Sequence, residues 1–279
     1  MTHTRPRLPS PPGTCDTHMH IFEPGYTVMP GTNLPSIPGT MADYRKLRER
    51  LGITRTVIVQ PAAYGRDNSC TLAAMQALAD ASHQTRGVAI VLPEDSDEHI
   101  AQLTAAGIRG IRYHLLSYGG VSWDTLREMA ARVASHGWHV QIQCDGSELA
   151  GREALLKALP CDIVIDHIGR FMQPVAAGDP AWKSMRSLVD GGRCWVKLSA
   201  PYHGSKTGAP EYADAAASAR ELIRAAPDRM LYASNWPHPS LKNNLPDDAA
   251  LLDWVNDLAG SEAVRQRILV DNPAKLYGF

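Results

Sequence analysis

Eight times along this chain a short run rich in Val, Ile and aromatic residues is followed by a longer stretch with apolar residues at helical spacing. The runs are Thr14–Ile21, Thr54–Gln60, Arg86–Leu92, Ile108–His114, His139–Cys144, Cys161–His167, Cys194–Ser199 and Met230–Asn235. Side chains of this kind fit a pleated, buried surface, and runs this short are strands rather than helices. The helical stretches are Ala42–Leu51, Cys70–His83, Glu98–Ala106, Trp123–His136, Glu148–Leu159, Trp182–Asp190, Glu211–Ala226 and Ala249–Asp257, with a last one at Glu262–Leu269. Some begin behind a capping side chain, as Ser122 and Ser147 do. Strict alternation calls for a parallel sheet with helical crossovers, and eight units predict a single-domain (β/α)8 TIM barrel. An open doubly wound sheet would carry a Gly-rich phosphate loop after its first strand, and none follows here. The barrel is assigned to residues 14–279, behind a Pro-rich N-terminal segment, residues 1–13, read as a flexible arm.

A net charge of −1 gives no footprint for nucleic acid or an anionic membrane, so neither is expected as a partner. No apolar run reaches membrane-spanning length. The cysteines number five, are scattered and form no CxxC pair. They read as free thiols in a reducing compartment, and a cytoplasmic protein, monomeric or a small homo-oligomer, is expected.

In a barrel of this type the chemistry sits where strands end. At the end of the first strand, alternation places Asp16, His18 and His20 on one face. Two imidazoles two residues apart chelate a metal or donate hydrogen bonds to an oxyanion. Other strand ends offer Gln60, Arg112, His114, Gln143, His167, Arg170, Ser199 through His203, and Asn235 through His238. If His167 points into the barrel, alternation turns Asp166 away.

Asp16-Thr17-His18-Met19-His20-Ile21-Phe22, Val164-Ile165-Asp166-His167-Ile168-Gly169-Arg170 and Asn235-Trp236-Pro237-His238-Pro239 together resemble the amidohydrolase superfamily. More narrowly they resemble the branch of 2-pyrone-4,6-dicarboxylate lactonase and related sugar-acid and muconolactone lactonases. Gln60 with Tyr64-Gly65-Arg66-Asp67-Asn68, Arg109-Gly110-Ile111-Arg112 and Trp195-Val196-Lys197-Leu198-Ser199 extend the match over nearly the whole chain. The resemblance implies hydrolysis of a small carboxylated lactone by water. His18, His20 and His167 would polarise the carbonyl and an eighth-strand Asp would act as general base. Arg112 and Arg170 would clamp a substrate carboxylate, with Tyr64, Gln143, Tyr202 and His203 as further substrate contacts.

The chain departs from that pattern at two places. Where metal-dependent relatives carry anionic and histidine ligands, it offers Arg112 and Gln143, so no metal cofactor is expected; zinc on His18 and His20 is the alternative. Where the family carries the catalytic Asp it has Asn235, an amide that takes no proton at neutral pH. Asn235 is read as replacing the general base, as in an inactivated variant. The alternatives are a zinc-dependent decarboxylase or amide hydrolase, a lactone isomerase, and a non-catalytic binding relative.

Overall fold

Eight parallel strands pair in chain order: β1 (Cys15–Met19), β2 (Arg55–Val59), β3 (Gln84–Ala89), β4 (Ile108–His114), β5 (His139–Gln143), β6 (Ile163–Ile165), β7 (Cys194–Leu198) and β8 (Met230–Tyr232). The computed structural model describes residues 4–32, 34–116, 121–176 and 178–279. The sheet closes just past β8, where the Asn235 amide donates to the His18 carbonyl at 2.8 Å and the His20 amide to the Trp236 carbonyl at 2.8 Å. The crossovers carry α1 (Met41–Leu51), α2 (Ser69–Leu78), α3 (Asp97–Ala105), α4 (Leu126–Ala134), α5 (Leu149–Lys157), α6 (Pro180–Asp190) and α7 (Ala213–Ala225). After β8 come α8 (Asp248–Ala259), α9 (Glu262–Gln266) and α10 (Asn272–Tyr277). This is the (β/α)8 barrel that the alternation predicts.

Two boundaries differ from the sequence reading for local reasons. Helix α2 stops at Leu78, short of His83, because Asp80 accepts from the Ser82 amide at 2.8 Å and its hydroxyl at 2.6 Å. That side-chain turn redirects the chain into β3. Strands β6 and β8 end early because the backbone folds over the barrel mouth. His167, Ile168, Arg170 and Asn235 all adopt left-handed φ, from 45° to 59°. Such conformations cost about 1–3 kcal/mol each in non-glycine residues and persist where surroundings over-determine them.

The described part of the N-terminal segment makes hydrogen bonds to α8 and to the end of α1. The Arg7 amide donates to Asp253 at 2.9 Å, its guanidinium reaches Asp257 at 2.6 Å, and the Ser10 hydroxyl donates to the Leu51 carbonyl at 2.6 Å. Residues 1–3 lie outside the described residues.

Strand β1 also corrects the simple alternation. Asp16 pairs with Thr56 and Met19 with Ile58, so β1 spends one residue more than β2 over the same rise. This is a β-bulge. Asp16 consequently turns to the helix layer, where it accepts from Tyr44 of α1 at 3.1 Å and from the Ser234 amide and hydroxyl at 2.9 and 2.6 Å. Burial raises its pKa to about 6. His18 and His20 point inward.

The barrel interior is layered. Cys15, Val57, Val59, Val88, Val164 and Leu231 form an apolar cluster with Trp195 and Tyr277 at the N-terminal end of the barrel. Above it sits a polar layer, and above that the mouth.

Candidate active site

Lys197 of β7 is fully buried in the polar layer. Its Nζ donates to Gln141 Oε1 at 2.6 Å, and lies 3.4 Å from His18 Nδ1 and 3.6 Å from Asp166 Oδ1. Gln141 Nε2 donates in turn to Asp166 Oδ2 at 3.0 Å. Burial lowers the Lys197 pKa to about 8, with Asp166 pulling the other way, so at neutral pH the ammonium is the charged form. Replacing Lys197 by Met is expected to cost about 3–5 kcal/mol of stability, since it strands the Asp166 carboxylate without its cation. Chemical denaturation checks this. A loss below 1 kcal/mol would show that the pair does not matter, whereas a second change, Asp166→Asn, should recover most of the loss.

The Asp166 side chain therefore points into the barrel, against the expectation from alternation. The strand ends at Ile165, and the left-handed turn at His167 aims both neighbours at the same interior. His167 rests its Nδ1 against Ser199 Oγ at 2.8 Å, with ring centres 4.9 Å from His18 and 5.1 Å from His203. Burial pushes His18, His167 and His203 well below the ordinary imidazole pKa.

The proton arrangement of the His18–His20 pair follows from one carbonyl. His20 Nδ1 lies 2.7 Å from the Val59 oxygen and must carry its proton there. Burial, with Arg112 adding to it, lowers the His20 pKa to about 3, so the ring is neutral and its Nε2 is a lone pair. His18 Nε2, 3.1 Å away, must then supply the hydrogen between them. His18 Nδ1 is left between Asp166 Oδ1 at 3.2 Å and the Lys197 ammonium at 3.4 Å; it accepts from the ammonium, whose charge offsets the carboxylate beside the lone pair. The pair thus carries one N–H between its facing nitrogens, on His18, and one acceptor, on His20.

The mouth is a cavity of about 270 Å³ bordered by His20, Arg112, Gln143, His167, Arg170 and Asn235. His114 and His203 also face it, as do Pro61, Ala62 and Ala63. Arg112 donates to the Gln60 carbonyl and, at 3.0 Å, to Gln143 Oε1, while its Nε is buried without a partner. Arg170 Nε is likewise buried and unpartnered. No Asp or Glu borders the cavity among the described residues. Two guanidiniums with spare donors and no counter-charge make an anion-seeking surface. A second cavity of about 320 Å³ lies behind His167 and Arg170, walled largely by Phe171, Pro174, Val175 and Trp182, and brings together no further strand-end base.

Two expected contacts are corrected. Tyr64 is buried beside Phe22 and Tyr26, its hydroxyl donating to the Glu23 carbonyl at 3.2 Å, and does not border the cavity. Tyr202 sits behind Asn235, whose Nδ2 donates to its hydroxyl at 2.8 Å.

Lys197 and Gln141 were missed from sequence. Each lies two residues from a selected strand-end position, and the two-residue period of a strand places both on the inward face.

A family model described as Amidohydrolase matches residues 15–279. The chain belongs to the amidohydrolase family. Within it, the chain is 35% identical over 282 residues to D-galactarolactone isomerase of Agrobacterium fabrum, covering 99% of this chain and 95% of that protein. It is 33% identical over 288 residues to 2-pyrone-4,6-dicarboxylate hydrolase of Comamonas testosteroni, covering 98% and 93%. Among solved structures, an apo Agrobacterium tumefaciens protein superposes with a TM-score of 0.91 at 35% identity, covering 98% of each chain. The curated relatives named here act on lactones, as the sequence motifs led one to expect of this branch of amidohydrolases.

Many amidohydrolases hold a divalent metal, whose ligands in this chain would come from the strand-end histidines. The facing Nε2 atoms of His18 and His20, 3.1 Å apart, have a spacing that two ligands of one ion can take. The rest of the set fails. His18, Asp166 and His167 do bring ligand atoms within 4.8 Å of one another. Asp166, however, faces the opposite nitrogen of His18, on the side where the Lys197 ammonium already stands. On the cavity side the imidazoles of His114, His167 and His203 stand beside Arg112 and the amides Gln143 and Asn235, with no anionic ligand among the described residues. The fixed cations Lys197 and Arg112 oppose a second positive charge there.

Proposed function

We propose that this amidohydrolase acts, without a metal, at the ring carbonyl of a small lactone that bears a carboxylate. The observation that carries the reading is the cavity itself: neutral imidazoles and two under-partnered guanidiniums converge on one volume bordered by no carboxylate among the described residues. Arg112 and Arg170 hold the substrate carboxylate in bidentate fashion. The carbonyl oxygen takes the His18 Nε2–H away from His20, and charge building on it is met by that donor in a field set by the buried Lys197.

The choice of nucleophile follows from Asn235. An amide does not deprotonate water, whereas a hydroxyl of the substrate itself attacks as an intramolecular group, with effective concentrations on the order of 10⁵–10⁸ M. The new ester C–O bond forms as the ring C–O bond breaks. The proton of the attacking hydroxyl ends on the departing ring oxygen, so the product is an isomeric lactone and no water is consumed. His20 Nε2, freed when His18 turns to the carbonyl, is the lone pair through which that proton passes. Its low basicity suits a proton handed on rather than kept. Hydrolysis, the activity in the name of the Comamonas relative, is the competing outcome and uses the same carbonyl site.

Turnover of carboxylated muconolactones, pyrones and sugar-acid lactones in ¹⁸O water tests both levels. A new lactone without solvent oxygen supports the acyl shift, while acid release with ¹⁸O in the product would replace it with hydrolysis. Failure to turn over any member of the panel would sink the lactone reading. Prolonged dialysis against a chelator is expected to leave the rate within about twofold. Stoichiometric zinc in the purified protein, with activity lost on its removal, would overturn the metal-free mechanism.

A further inference from the structure

We infer that Asp248, His238 and Tyr202 form a positioning chain that turns the Asn235 amide so that its Oδ1 faces the cavity and receives the attacking hydroxyl. This rests on the reading of the cavity as a lactone site. The chain begins at the start of α8. There Asp248 Oδ1 and His238 Nε2 face each other at 3.2 Å, with the two side chains only 9% and 2% exposed. Each of these atoms is buried and neither makes an aligned hydrogen bond among the described residues, so what joins them is the 3.2 Å approach of the ring nitrogen to the carboxylate. A hydrogen on Nε2 is drawn to that carboxylate, whereas a bare Nε2 would set a lone pair against it in a dry site.

The rest follows by donor and acceptor accounting. With its hydrogen on Nε2, neutral His238 offers a lone pair at Nδ1, which lies 2.9 Å from the Tyr202 hydroxyl. Tyr202 must donate to it, and its own oxygen is then left as an acceptor. Asn235 is 2.8 Å away and meets that acceptor with Nδ2, so Oδ1 is turned from Tyr202. The backbone is held independently, because the Asn235 amide donates to the His18 carbonyl at 2.8 Å and φ is fixed at 59°. Asn235 borders the cavity and Tyr202 does not.

The orientation matters to the chemistry. The oxygen and nitrogen ends of an amide have nearly the same shape, so an unheld Asn235 would present either. An N–H toward the cavity would bind the substrate hydroxyl through its oxygen lone pair, the pair needed for attack. The Oδ1 end instead accepts a hydrogen bond from the hydroxyl before its proton passes to His20, and leaves that lone pair free to reach the carbonyl. Asp248, far from the reacting atoms, thereby selects which end is shown. These are positioning residues, since none of the three touches substrate.

The decisive measurement uses the full chain without substrate. Side-chain ¹⁵N NMR at pH 8, with the His238 signals assigned by their loss in His238→Asn, is expected to show a neutral ring protonated at Nε2. A ring protonated at Nδ1, or at both nitrogens, would overturn the chain. Because no turnover is needed, this result is independent of whether the lactone reading holds. In the working enzyme, Asp248→Asn and Tyr202→Phe should each lower kcat about ten- to a hundredfold with KM within twofold, since the arginine clamp is untouched. Unchanged kcat, or an effect confined to KM, would count against the proposal.

Discussion

Replacing Asn235 by Asp is expected to raise the hydrolytic rate by about 10²–10⁴-fold, the span general acid–base catalysis ordinarily supplies. The change swaps an amide for a carboxylate of nearly the same shape, so the fold should survive it. The carbonyl site of His18 and the clamp of Arg112 and Arg170 stay in place. The new group accepts a proton from water, and Tyr202, now facing two oxygens, can turn its O–H to the introduced carboxylate rather than to His238. Product formed in ¹⁸O water should then carry solvent oxygen where, on the acyl-shift proposal, the parent enzyme's product should carry none. A gain below about tenfold would mean that position 235 is not where water is activated, and that another group governs the choice of nucleophile.

A fall in pH from 7 to 5 is expected to unfold the protein cooperatively. Of the 11 histidines, seven are held below the ordinary imidazole pKa, in every case chiefly by burial. His20, His114 and His139 are lowered to about 3 and His83 to about 4, while His18, His167 and His203 lie well below 6.5. The unfolded chain takes up these protons near pH 6.5. Between there and the folded-state values it binds more protons than the native state, so stability falls as the pH falls. Each imidazole contributes up to about 1.4 kcal/mol per pH unit, and seven together about 10. Asp16, raised to about 6, works the other way below that pH and offsets about one of them. Since whole domains are stable by only ~5–15 kcal/mol, the transition should fall between pH 6 and 5. Circular dichroism across that range, with proton uptake followed in parallel, provides the check. A protein still folded at pH 4 would contradict the burial argument.

The barrel was legible in the sequence because its signal repeats: eight apolar runs at strand length, each followed by helical spacing, constrain one another. Residues that stood at strand ends are found together: His20, Arg112, Gln143, His167, Arg170 and Asn235 border one cavity, with His18 against His20 behind them. What escaped depended on departures from regularity. The extra residue in β1 sends Asp16 outward, and left-handed turns bring Asp166 inward beside His167; neither is visible in an alternating pattern. Tyr64 looked available because loops carry function, yet it is packed among aromatic neighbours beneath the loop. The role of Tyr202 depends on His238 and Asp248, and that association across loops and a helix is set by tertiary packing alone.

The irregularity in β1 also governs how portable this chemistry is. Transplanting Asp-Thr-His-Met-His onto the first strand of another barrel, paired evenly with its neighbour, would send the aspartate and both imidazoles to a single face. Either the acid would crowd the pocket or the imidazoles would be lost among the helices. The unit to graft is therefore the strand with its offset, including the Ser234 and Tyr44 partners that receive the outward acid. It is this odd count, three residues of β1 against two of β2, that lets Asp16 point outward while His18 and His20, at even spacing from it in sequence, point inward.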